Sequence, residues 1–173
     1  MRSEFPNRPT TRMLAAITVA MLFAPVFVRA QKLETVRNEA LGFSVELPGG
    51  SWIGFSTEEE STSVNGMKGA AVIVARIQMQ AKTLEQVEAV ITPHAPTPGV
   101  EISVGKFDHA VGPARHWHSV EKKGDQRQVK HSYFIEGAGE IYTIDCGSKA
   151  TTDQDERDWD ELCQAVLDSF KLI

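Results

Sequence analysis

VEISVGKFDHAVGPARHWHSVEKKGDQRQVKHSYFIEGAGEIYTIDCG (residues 100–147) decides the fold. Four runs of alternating or β-branched residues, Val100–Phe107, Ala114–Lys122, Gln128–Ile135 and Glu140–Gly147, read as strands. Their links are short: Asp108–Pro113, Lys123-Gly124-Asp125 and Gly137-Ala138-Gly139. Glycine-bearing links of this length between such runs make antiparallel hairpins.

Downstream, Asp153, Asp155, Glu156 and Asp158 crowd a helix start, where carboxylates oppose the positive end of the helix dipole. Trp159, Leu162, Cys163, Val166 and Phe170 then recur as one apolar stripe. Upstream, Gly42–Leu47 alternates as a strand closed by Pro48-Gly49-Gly50, and Trp52–Phe55 suggests a second, short one. Residues 57–68 are polar and read as a loop or hairpin tip. Ala70–Met79 is nearly all apolar, as a central strand buried on both faces would be. Thr83-Leu84-Glu85-Gln86 matches a capping box, and Leu84, Val87, Val90 and Ile91 follow at helical spacing until Pro93 stops the helix. The expected class is α+β: an antiparallel sheet of six to seven strands with helices packed on it.

Residues 1–30 read as a leader. Arginines precede the uncharged run 13–28, and Val28-Arg29-Ala30 suits a signal peptidase that cuts between Ala30 and Gln31. The run is about 16 residues, short of the roughly 20 that span a bilayer. The expectation is a cleavable signal peptide over 1–30 and a single globular domain over 31–173, exported to the periplasm or secreted, with no membrane insertion after cleavage. Cleavage leaves 14 Lys and Arg against 22 Asp and Glu, a net charge of −8. Such a domain repels phosphate backbones, so nucleic acid is not an expected partner.

The opening Gly42-Phe43-Ser44-Val45-Glu46-Leu47-Pro48 followed by Trp52, and the close with Trp159 and Leu167-Asp168-Ser169-Phe170-Lys171-Leu172, resemble the PsbP-like and DcrB-like exported domains. The order of elements between them agrees. The resemblance implies an α-β-α sandwich around an antiparallel sheet. It implies little about activity, since the family is broad and generally not enzymatic.

Cys146 and Cys163 are the only cysteines. Cys146 shares a strand face with Tyr142 and Ile144, and Cys163 lies on the apolar helix stripe. If that helix covers that face, the two sulfurs meet as a disulfide, the expected state in an exported protein. The alternative is a pair of buried thiols acting as small hydrophobes.

His116 and His118 share a strand face. With a symmetric turn, paired numbers sum to 247 and His116 faces His131, while His118 faces Val129. With a shift of two they sum to 249 and His118 faces His131. Either way His116, His118 and His131 gather on one face and could bind zinc or copper, though no Asp or Glu completes the set. The bland alternative is a polar patch.

Other motifs fail on context. Ser119-Val-Glu-Lys122 has S-x-x-K spacing but lies in a strand, Gly137-Ala-Gly139 is a turn, and Asp153-x-Asp155 lacks the rest of a calcium loop. The leading expectation is a non-enzymatic module of the cell envelope that binds or assists an envelope protein or a small ligand. The alternatives are a metal-binding protein built on the three histidines and a hydrolase assembled from scattered residues. No cofactor is expected beyond zinc or copper.

Overall fold

A computed structural model describes residues 32–49, 55–57, 61–65, 70–77, 83–91 and 98–173. The leader with its Ala30/Gln31 junction, Trp52, and the prolines of 93–97 lie outside the described residues.

The central meander is longer than its sequence signals: β6 (Val100–Asp108), β7 (Pro113–Lys123), β8 (Gln126–Gly137) and β9 (Glu140–Ala150) pair antiparallel in chain order. Gly124-Asp125 turns β7 into β8, with Gly124 at positive φ. Ala138-Gly139 turns β8 into β9 with both residues at positive φ, as a type I′ turn requires. On the far side, β5 (Ala71–Arg76) pairs with β9, β4 (Ser61–Asn65) with β5, and β3 (Phe55–Thr57) with β4. The order of this seven-stranded sheet is β3-β4-β5-β9-β8-β7-β6.

Two expectations are corrected here. Residues 61–65 are not loop: Thr62 is fully buried and pairs with Val74. A strand of serines and threonines carries almost no hydrophobic alternation, so the pairing with β5 decides its state. Nor is β5 buried on both faces. Val72 and Val74 are buried, while Ile73 is 39% exposed on the other side.

α1 (Leu84–Ile91) lies on one face of the sheet, and α2 (Asp153–Ser169) on the other. At α1 the expected capping box is formed: the Thr83 hydroxyl accepts from the Gln86 N–H and Gln86 Oε1 accepts from the Thr83 N–H, both at 3.3 Å. Leu84 and Val87 pack on Trp117, Phe134 and Ile141. Arg115, on the same sheet face, reaches Glu85 (3.0 Å) and Glu88 (3.4 Å) of the helix. α2 has its own capping box, in which Thr152 accepts from the Asp155 N–H and the Asp155 carboxylate accepts from the Thr152 N–H. Such a cap stabilises by about 1 kcal/mol.

Beside α2 lies a second sheet, which has the order β1-β2-β10. β1 (Leu33–Asn38) and β2 (Phe43–Pro48) form a hairpin, and β10 (Lys171–Leu172) adds to β2 after α2 ends. Phe43, Val45 and Leu47 of β2 join Val72, Val74, Tyr142, Ile144, Cys146, Cys163, Val166, Leu167 and Phe170 in the main core. Phe43, Tyr142 and Phe170 meet ring to ring, at centroid separations of 5.4–6.2 Å. The Asn38 amide donates to the Thr62 hydroxyl (3.1 Å) and so ties the small sheet to β4. The result is the expected α+β architecture, an antiparallel sheet between two helical layers. Among the described residues, no helix is long and apolar enough to cross a membrane.

Candidate functional site

Beneath α2, a row of aromatic and imidazole rings crosses the largely apolar face of the sheet. Register places His118 opposite His131 and His116 opposite Tyr133, so the 249 alternative holds. His131 in turn pairs with Cys146 on β9. The rings stack in a series: Tyr133 on His116 (4.4 Å between centroids, 12° between planes), His116 beside His131 (5.2 Å, 4°), and His131 beside His118 (4.5 Å, 20°).

α2 supplies the residue that sequence reasoning missed. Asp160 Oδ1 lies 2.8 Å from His131 Nε2. The expectation that no carboxylate completes the histidine set is therefore corrected. Asp160 sits in an acidic run that reads as a solvated helix face, and its side chain is indeed 45% exposed. It nevertheless precedes Cys163 by one turn. Cys163 touches Cys146, and Cys146 is the register partner of His131, so the helical spacing carries the signal.

The hydrogen bonds set the tautomers. An ionised carboxylate only accepts, so His131 donates to Asp160 from Nε2. In the neutral ring Nδ1 is then a bare acceptor, and His116 Nε2, 3.0 Å away, donates to it. The row thus runs Asp160, His131, His116. A hydrolytic triad orients its histidine with a carboxylate in the same way, but has a nucleophile where His116 stands. His118 completes the row without joining the chain, and among the described residues its buried Nε2 has no hydrogen-bond partner.

Burial, and then the neighbouring His131 and His118, hold His116 down to about 4, well below the usual value near 6.5. Burial and His118 also lower His131, against the opposing pull of Asp160. Both rings are therefore neutral at pH 7.

The structure brings all three predicted histidines together. The donor atoms of His118, His131 and Asp160 lie within 4.8 Å of one another. His116 is not in that group, because its Nε2 is engaged with the back of His131. The two cysteines also meet as expected from the faces they occupy. Both are buried and unbridged, and burial, with Cys146 beside it, pushes the Cys163 thiol far up. His109 has a structural place: its Nδ1 accepts from the Val111 N–H, and its Nε2 then donates to the Leu167 carbonyl at the end of α2.

No family model matches the sequence, and neither does any curated protein. Solved structures do. The Ran-binding protein Mog1p of Saccharomyces cerevisiae is 11% identical, with 83% of this chain and 96% of that chain covered at a TM-score of 0.55. Cyanobacterial PsbP (CyanoP) of Synechocystis sp. PCC 6803 is 15% identical, with 88% and 99% covered at a TM-score of 0.54. At these identities the likeness shows the fold alone. The chain has the PsbP/Mog1 fold, the α-β-α sandwich that its two ends resemble.

The lowered histidines make stability pH-dependent. Below pH 6.5 the unfolded chain takes up a proton at His116 that the folded chain refuses until about pH 4. Stability is full above pH 6.5 and falls as the pH drops through this window. Allowing for partial solvent access, His116 accounts for about 1–2 kcal/mol of the loss. Urea unfolding at pH 7 and pH 4.5 is expected to show a smaller loss for His116→Gln than for the wild type. Equal losses would show that His116 is not held neutral.

Proposed function

We propose that this chain is an exported, non-enzymatic module that docks an extended segment of a protein partner in the cell envelope. The observation that carries this reading is the edge of the large sheet, which no other strand pairs among the described residues. β6 is nine residues long and ends the order of described strands. Ile102 and Val104 stand on its α1 side at 43% and 41% exposure, opposite Ser119 and Trp117. Natural sheets blunt such an edge with charge, proline or a covering element, because it offers unpaired N–H and C=O groups to another chain. A partner strand adding to β6 gains main-chain hydrogen bonds and an apolar strip at alternate positions.

Two further points support the reading. The same fold carries a protein described as Ran-binding, so its surfaces serve protein recognition in at least one setting. In this chain the Asp160–His131 pair is aimed at a second imidazole, that of His116, and not at a hydroxyl or thiol nucleophile. Export rests on the leader over residues 1–30, with its uncharged stretch ahead of Ala30.

The edge is tested by affinity capture from an envelope extract, with the wild type and an Ile102→Lys/Val104→Lys variant side by side. A partner held by the wild type and lost by the variant is expected. A capture profile that is indifferent to the two lysines, or empty for both, contradicts the reading.

An oxidising compartment would also join Cys146 and Cys163, which already touch across the interface of α2 and β9. The intact mass of protein recovered from the envelope is expected to rise by two hydrogens on reduction. An unchanged mass would mean that the pair stays reduced and would count against export.

A further inference from the structure

We propose that His118, His131 and Asp160 form a binding site for a divalent transition-metal ion of the zinc or copper(II) class, with His116 as the positioning residue behind it. Three observations converge. The three donor atoms already lie within 4.8 Å of one another. A tetrahedral ion with bonds of about 2.0–2.1 Å holds its donors about 3.3 Å apart, so side-chain adjustments of roughly an ångström close the set. His118 Nε2 is buried without a hydrogen-bond partner among the described residues, which is costly for a ring nitrogen and is relieved by a ligand in this row. The ring of His131 is fixed from behind, as a metal-bound imidazole needs to be.

The donor set selects the ion. Two imidazole nitrogens and one carboxylate suit zinc or copper(II), whereas magnesium and calcium take oxygen-rich sets. The elements also supply the three ligands from different directions: His118 and His131 from paired strands and Asp160 from the helix above them. Glu156, one turn before Asp160, is held by Arg127 (3.0 Å), which leaves Asp160 as the carboxylate turned to the row. Because Asp160 is partly exposed, the fourth position opens outward to water or to a donor from a partner.

Binding rearranges protons without net loss. The ion takes the place of the proton on His131 Nε2. His116 passes its Nε2 proton to His131 Nδ1, so that His131 now donates the hydrogen bond it previously accepted. The proton displaced from His131 Nε2 is balanced by uptake from solvent at His116 Nδ1. His116 thereby holds His131 in the metal-binding tautomer, and its removal is expected to weaken the site about 10- to 100-fold.

Calorimetric titration of the purified protein with zinc and copper(II) chloride tests the site, alongside electron paramagnetic resonance of the copper(II) form. Expected are one ion per chain, nitrogen hyperfine structure from two imidazoles, and no heat from magnesium or calcium. Asp160→Asn and His118→Ala are expected to weaken binding at least tenfold, and His116→Gln to do so while leaving the ion's coordinating nitrogens unchanged. Should His118→Ala fail to fold by circular dichroism, the partly exposed Asp160→Asn decides alone. The absence of zinc and copper(II) heat, or binding by Asp160→Asn as tight as the wild type's, overturns the proposal.

Discussion

The tight turns at Gly124-Asp125 and Ala138-Gly139 set the register of β7, β8 and β9, and the two faces of the molecule follow from that register. Side chains alternate across a strand, so a slip of one residue would carry His131, Tyr133 and Ile135 to the α1 side and bring Ser132 and Phe134 under α2. The second turn places even Ala138 at positive φ (52°), a conformation that costs a non-glycine residue about 1–2 kcal/mol. The long ladders on either side of the turn offset that cost. With the register set, one face presents Val129, Ile135, Ile144 and Cys146 to α2, and the other presents Trp117, Phe134 and Ile141 to α1.

The position of α2 is over-determined, which matters for the histidine row. Its start is capped by Thr152 and tied to β8 through Arg127, with Asp153 and Glu156 as partners. Its middle buries Trp159, Cys163 and Val166. Its end is held by the His109 hydrogen bond to the Leu167 carbonyl and by Phe170 against Phe43 and Tyr142. β10 then pairs with β2 and brings the end of the chain to its opening hairpin. Asp160 therefore meets His131 because a rigid helix is held at both ends, and not through a mobile loop.

The meander, both helices and the shared face of His116 and His118 were legible in the sequence, because each carries a repeating pattern or a local capping motif. The elements that were not legible lack such a pattern. β10 is two residues long and exists only because β2 pairs with it. β1 goes from exposed Glu34 and Thr35 to buried Asn38, and no apolar alternation marks it. β4 is held by the burial of Thr62 and by its ladder to β5. Asp160 is hidden differently: a partly exposed aspartate in an acidic run has an ordinary explanation. Only the register of His131 with Cys146, combined with the helical step from Cys163 to Asp160, separates it from its neighbours.

Asp160, His131 and His116 form one hydrogen-bonded row, and nitrogen-15 NMR of the histidine-labelled, metal-free protein reads it directly. The geometry predicts a scalar coupling across the hydrogen bond between His116 Nε2 and His131 Nδ1, with His131 in the Nε2–H form and His116 neutral at pH 6. Two uncoupled imidazoles, each titrating near the ordinary value of about 6.5, would contradict it.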